Sequence, residues 1–190
     1  MKLIPIYIIC VLFVLGAFGC AKPPTEEMNK AVEAVTRAEN DADAVQYAGN
    51  TLTRARDTLK RMQTEADSKR YDAAKTLANE AIAAAEKAIA DGRAGAARAR
   101  EEANSLLSAL RPEIQQTGQS IQSAQQAGLK LDYSALNSDF ETARQSAAQA
   151  ETAFSGNRYQ DALERGRSAR SVLSGINQKL TNAVIAITGK

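Results

Sequence analysis

The sequence contains no histidine and no tryptophan among its 190 residues. Histidine is the side chain that enzymes use most often as a general acid or base, and it is a common metal ligand. The sequence also lacks a serine-based triad, a glycine-rich phosphate loop and a cysteine cluster. We therefore expect no enzymatic activity, no catalytic residues, no metal site and no cofactor.

An excess of charge of one sign is missing as well. The chain has 24 Lys and Arg residues against 22 Asp and Glu residues, which leaves a formal net charge of +2. Proteins that bind nucleic acid usually carry a clustered basic surface that neutralises phosphates. The balanced charge gives no reason to expect a nucleic-acid partner.

Residues that favour strands or break helices are scarce. Aromatic residues make up 5% of the chain, and Pro112 is the only proline beyond Pro24. Alanine, which has the highest helix propensity, is abundant, and apolar residues recur at spacings of three and four. No segment alternates apolar and polar residues as a half-buried strand does. The sequence therefore predicts an all-α protein with a thin core.

The first twenty residues are typical of a secretion signal. Lys2 precedes an apolar stretch over 3–18, which is too short to be a convincing membrane-spanning helix. The segment ends Leu15-Gly16-Ala17-Phe18-Gly19-Cys20, which resembles the lipobox of bacterial lipoproteins. That resemblance implies a signal peptide over 1–19, a palmitate-type lipid on Cys20 and a short tether over 20–25. An ordinary secretory signal or an uncleaved anchor remains the alternative.

The helical domain is expected over 26–190. We predict a first helix that is capped by Thr25 and ends near 45–50, a second over about 52–66, and a third from Tyr71 to Arg111. Pro112 suits the first position of a fourth helix. A fifth helix follows over about 134–154, and a sixth begins near Tyr159.

The two halves of this domain resemble each other at an offset of 88 residues. The segment from Arg70 to Ala74 aligns with the segment from Arg158 to Ala162, so that a turn, an arginine and a tyrosine precede a helix in both. We interpret the halves, about 26–111 and 112–190, as a duplication. The predicted architecture is an elongated antiparallel helical bundle or helix-hairpin repeat: two similar three-helix halves joined by a long helix.

Two stretches of the first half carry a family resemblance. They are residues 34–48, with Tyr47-Ala48 before the helix of Leu52 and Ala55, and residues 70–74 leading to Ala81. With them the chain resembles a domain-of-unknown-function family of Ala-rich helical lipoproteins from the envelope of double-membraned bacteria. The family implies an envelope location and supplies no catalytic residues. The spacing after Tyr71 and Tyr159 also looks like tetratricopeptide hairpins, although other consensus positions are missing.

The C-terminal helix offers the best candidate surface for a partner. Its apolar residues follow the spacing of a coiled coil: Leu173, Ile176, Leu180, Val184 and Ile187. Packing within the chain is the alternative interpretation of this stripe. The terminal Lys190 resembles the lysine through which Braun-type lipoproteins join peptidoglycan.

Three smaller clusters have plain interpretations. Asp41-Ala42-Asp43 resembles the start of a calcium loop but lacks its later glycine and glutamate, which favours a solvated helix end. The arginines at 93, 98 and 100 form a basic cluster that suits either a solvated face or an acidic partner. The tyrosines at 47, 71, 133 and 159 lie near helix ends, where they would fill hairpin corners rather than form a ligand cage.

The function expected from these features is that of a lipid-anchored envelope protein. It would be a non-enzymatic helical scaffold or protein-interaction module, held by its lipid at the periplasmic face of the outer membrane and binding an envelope protein. Ala21 after Cys20 is not a retention signal in enteric bacteria, which favours the outer membrane. The alternatives are a self-associating spacer between membrane and peptidoglycan, and a small-ligand binding protein.

Overall fold

The computed structural model of the protein describes residues 22–188. This part of the chain contains six α-helices and no β-strand. The helices are α1 (Thr25–Glu39), α2 (Ala42–Tyr47), α3 (Gly49–Asp67), α4 (Tyr71–Gln126), α5 (Tyr133–Ser155) and α6 (Tyr159–Thr188). The prediction of an all-α helical bundle is confirmed.

The chain divides into two compact units between Arg93 and Ala94. The first unit consists of α1, α2, α3 and the beginning of α4. The second consists of the remainder of α4 with α5 and α6. The 56-residue helix α4 therefore contributes to both units.

The core of the first unit is built largely from alanine. Val35, Leu52 and Met62 are its largest fully buried side chains, from α1 and α3. The face of α4 that packs on them is a stripe of small residues, which allows the helices to approach closely. The buried members of that stripe are Ala74, Ala78, Ala81, Ala85 and Ala88.

An ion pair at the surface links α1 to α4 in the first unit. Lys75 Nζ lies 2.6 Å from Glu27 Oε1. Donation of this hydrogen bond by Lys75 lowers the pKa of Glu27 below its ordinary value of 4.5, and the same contact raises the pKa of Lys75. The charged forms of both groups are therefore favoured in the folded state.

The short helix α2 follows a break at Asn40-Asp41. The Asp41 carboxylate accepts a hydrogen bond from the Ala44 N–H at 2.8 Å and so caps α2. The expectation that the first helix continues to about residue 45 was therefore wrong, because a local cap at Asp41 starts a new helix. Thr25 also lies within the first turn of α1, where Pro24 occupies the cap position without a side-chain hydrogen bond.

In the second unit α4 and α6 are parallel and α5 is antiparallel to both. Glu113 pairs with Arg170 and Thr117 with Asn177, which fixes the direction of α6 along α4. Asp139 of α5 pairs with Lys179. Larger aliphatic side chains fill this core, among them Leu106, Leu110, Ile121, Leu136, Leu163, Leu173 and Ile176.

Pro112 lies inside α4 rather than at the start of a new helix. The prediction of a helix boundary there was wrong. Proline removes one backbone hydrogen bond and costs roughly 3 kcal/mol in a helix interior. Leu110 and Thr117 are each 1% exposed, so packing on both sides of the proline holds α4 continuous.

The turns before α4 and α6 have the same hydrogen-bond pattern. The N–H of Arg70 donates to the Glu65 carbonyl, and that of Arg158 donates to the Ala153 carbonyl, both at 2.9 Å. The residues that precede these arginines, Lys69 and Asn157, each have a φ of 59°. Both hairpins therefore close through the same left-handed helix cap, at the offset found in the sequence.

Candidate functional site

The structure divides the apolar stripe of α6 into a buried part and an exposed part. Leu173, Ile176 and Leu180 are 2%, 1% and 7% exposed, so these three side chains lie in the core of the second unit. Val184 and Ile187 are 46% and 58% exposed. Only the last part of the predicted partner surface is accessible.

Ile185, which the coiled-coil spacing does not include, extends the exposed part. Its side chain is 58% exposed, like that of Ile187. The other large apolar side chains exposed within the described residues are Val32 and Val45, both in the first unit. Single exposed residues of that kind are ordinary, whereas three within four positions form an apolar patch.

This patch forms one wall of a groove of about 740 Å³ in the second unit. The opposite wall comes from the C-terminal part of α4, which ends at Gln126 beside α6. We call this feature the terminal groove. Its lining residues are Gln116, Gln119, Ser120, Ser123, Ala124, Ala127, Leu129, Leu180, Thr181, Val184, Ile185 and Ile187.

The terminal groove has no charged side chain in its lining. The sequence around it explains this property. Neither 114–129 nor 180–189 contains Asp, Glu, Lys or Arg, although such residues make up 24% of the chain. Charged residues directly precede both stretches: Glu113, which pairs with Arg170, and Lys179, which pairs with Asp139. The groove is therefore aliphatic on the α6 side and uncharged but polar on the α4 side.

A polar pair beside the groove fixes the position of α6 along α4. Thr117 is 1% exposed, and its hydroxyl lies 3.1 Å from Asn177 Nδ2 and 3.3 Å from Asn177 Oδ1. A buried hydroxyl costs free energy unless it is hydrogen-bonded. The Thr117–Asn177 pair satisfies this hydroxyl and links α4 to α6 beside the groove.

A second groove of the same unit is charged. It lies between α4 and α6, over a floor that includes Leu106 and Leu163. Arg167 Nη2 lies 3.8 Å from Glu102 Oε2 across it, and Arg98 is exposed at its edge. Because both signs of charge line this groove, it selects no one class of ligand.

The remaining predicted clusters are a helix cap and an exposed group of arginines. Asp41 caps α2, and within residues 22–188 no group of three acidic, cysteine or histidine side chains is placed to hold a metal ion. Arg93, Arg98 and Arg100 are all exposed.

Two tyrosines support the hairpin corners. The Tyr133 hydroxyl donates to the Leu129 carbonyl at 2.9 Å, which ties the start of α5 to the preceding connection. The Tyr159 ring lies 5.6 Å from that of Phe154. Its hydroxyl is 2.7 Å from Asn157 Oδ1. These contacts agree with the corner role rather than with a ligand cage.

Two predicted site residues, Cys20 and Lys190, lie outside the described residues. Within the described part of the chain, no helix combines the length and hydropathy needed to cross a membrane.

Residues 26–104 match the family model described as a domain of unknown function, DUF4398. The predicted resemblance to a domain-of-unknown-function family is confirmed for these residues, which span the first unit and the beginning of the second. No curated protein and no solved structure matches the chain.

The segment that matches the family model ends before the terminal groove begins. The first residue of the groove lining is Gln116, twelve positions after the matched segment. Sequence periodicity pointed to Val184 and Ile187 but missed Ile185 and the whole α4 wall. The signal that would have found them is the absence of charge over 114–129 and 180–189.

Proposed function

We propose that this protein is a lipid-anchored, non-enzymatic scaffold of the bacterial cell envelope that binds another protein chain through the terminal groove. The observation that carries the proposal is the exposed apolar patch of Val184, Ile185 and Ile187 beside that groove. Contiguous exposed apolar surface is typical of interaction sites, because covering it removes apolar area from water.

The make-up of the rest of the molecule supports a scaffold role. Histidine is absent from the sequence, and alanine dominates the core of the first unit. Close packing of small side chains produces a continuous surface rather than a large enclosed pocket. A surface of this kind suits recognition of another chain better than capture of a small molecule.

The start of the helical part supports a short tether to the membrane. Residues 22–24 are not helical, and α1 begins at Thr25, five positions after Cys20. Lipidation of Cys20 would hold the first unit close to the bilayer surface. With Ala21 in the second position, we place the anchor in the outer membrane, with the helical units on its periplasmic side.

The two cysteines of the chain allow a matched test of the anchor. We expect Cys20→Ser to abolish incorporation of labelled palmitate in growing cells and to leave the signal over 1–19 attached, so that the protein runs at a higher mass. Cys10→Ser changes the same atom within the signal and should leave both incorporation and mass intact. If the Cys20→Ser protein still incorporated palmitate, lipidation of Cys20 would be refuted.

A further inference from the structure

We infer that the occupant of the terminal groove is a second copy of this chain, bound so that the two copies present the same surface to each other. The inference rests on the proposed interaction role of the groove and adds the identity of its partner. It concerns residues beyond the DUF4398 segment.

The first reason is the absence of charge. In a contact related by a twofold axis, the two copies use the same surface, and side chains close to the axis lie near their own equivalents. A charged residue at the centre of such a contact would meet a like charge, which is destabilising. The surface lined by 116–129 and 180–187 contains none, whereas ion pairs begin at Glu113 and Lys179.

The second reason is shape. The terminal groove and the apolar ridge of Val184 and Ile187 belong to one surface, since these two side chains lie about one helical turn apart, line the groove and are 46% and 58% exposed. A twofold contact would place the ridge of each copy against the groove of the other. Such a surface is complementary to itself, and both apolar ridges are removed from water in one step.

The third reason is the chemistry of the α4 wall. Gln116, Gln119, Ser120 and Ser123 line it. Glutamine amides and serine hydroxyls each contain a hydrogen-bond donor and an acceptor. Identical side chains of this type can therefore satisfy one another across a symmetric contact, which carboxylates or ammonium groups cannot do.

A membrane surface fits the same groove less well. Helices that lie in the bilayer interface usually combine Lys and Arg on one face with large apolar or aromatic residues on the other. Between Leu180 and Gly189 there is no aromatic residue and no Lys or Arg. This part of the groove therefore lacks the basic and aromatic side chains that would contact lipid headgroups.

The test is photocrosslinking of the full-length chain in intact cells. A photoreactive benzoylphenylalanine replaces Ile187 in the groove lining or, in a parallel strain, Asn182, which is exposed on the same stretch of α6 but does not line the groove. We expect irradiation to produce, from position 187, an adduct of twice the single-chain mass that contains only peptides of this protein. We expect little of this adduct when the photoreactive residue is at position 182.

A pair of charge substitutions provides the matched control. Ile185→Glu places a carboxylate in the uncharged groove, where the contact would bury it without a partner, and should reduce the yield of the 187 adduct at least about tenfold. Asn182→Glu adds the same charge one turn away and should leave the yield within about twofold. Because Ile185 is mostly exposed, neither change should unfold the protein, which helical circular dichroism would verify.

The outcomes of the crosslinking experiment distinguish the proposed interaction role of the groove from the inferred identity of its partner. An adduct with a different protein would overturn the second-copy inference and leave the interaction role standing. Crosslinks to lipid alone, or no adduct at all, would overturn both. An Asn182→Glu effect as large as that of Ile185→Glu would also overturn the inference, because the contact would then not depend on the groove.

Discussion

Replacement of Gly92 by alanine should destabilise the first unit, although alanine is the better helix former. Gly92 lies within α4 where the backbone of α2 crosses it. A Cβ atom on Gly92 would lie 2.5 Å from the Ala44 nitrogen and 2.6 Å from the Asp43 carbonyl carbon. Neither distance is sterically permitted, and backbone atoms cannot rotate away as a side chain can.

Two opposing effects determine how much Gly92→Ala changes the free energy of unfolding. Replacing glycine by alanine within a helix gains about 1 kcal/mol of helix propensity. Forcing an extra carbon into a well-packed contact costs about 1–3 kcal/mol and occasionally more. Here α2 must also move, which would disturb Ala44 and Ala48, now 0% and 6% exposed. We therefore expect a net loss of about 1–2 kcal/mol in the free energy of unfolding.

Gly175 supplies the control, because it lies within α6 and a Cβ there would meet nothing within 4 Å. Gly175→Ala should stabilise the protein by about 0.5–1 kcal/mol. Urea unfolding followed by far-ultraviolet circular dichroism measures both variants. Hydrogen exchange at the Ala48 amide, which donates to the Ala44 carbonyl, gives a local measurement. If Gly92→Ala raised stability as Gly175→Ala does and left this exchange unchanged, the close packing of α2 on α4 would be refuted.

Two further predictions concern the acid dependence of stability and the proline of α4. Because the pKa of Glu27 is lowered in the folded state, its pairing with Lys75 stabilises the protein above pH 4.5, and this contribution is lost as the pH falls below that value. Glu27→Gln should therefore flatten the dependence of the urea midpoint on pH below 4.5, and an unchanged slope would contradict the assignment. Pro112→Ala should raise stability by up to about 3 kcal/mol, because Pro112 is exposed and alanine would restore a backbone hydrogen bond. A loss of stability in thermal unfolding would show that the proline ring makes a packing contribution.

Periodicity in the sequence was sufficient to predict the fold class and the long helices. Spacings of three and four placed Ala74, Ala81 and Ala88 on one buried face, and the structure buries all three completely. The turn before Tyr159 was also found in the sequence, because Gly156 and Asn157 are typical turn residues. Signals of this kind are local, so they can be interpreted without knowledge of the tertiary structure.

Two features that the local patterns did not reveal depend on contacts made elsewhere in the chain. A proline at 112 favours a helix start when only local hydrogen bonding is considered, but packing around Leu110 and Thr117 keeps α4 continuous. The Asp41 cap begins α2 locally, but the close approach of the α2 backbone to α4 depends on Gly92, some fifty residues later, whose missing side chain leaves room for it. Neither effect can be found by examining the segment on its own.

The terminal groove shows why an apolar spacing alone does not define an interaction surface. The same spacing runs through Leu173, Ile176 and Leu180, which are buried, and on to Val184 and Ile187, which are exposed. The difference lies in what surrounds each part of α6. Ile176 and Leu180 belong to a core cluster with Ile121 and Leu136, whereas Val184 and Ile187 line the open groove beside the end of α4. Charge is absent from both walls at this point, and a surface of aliphatic and uncharged polar side chains is suited to meeting its own copy.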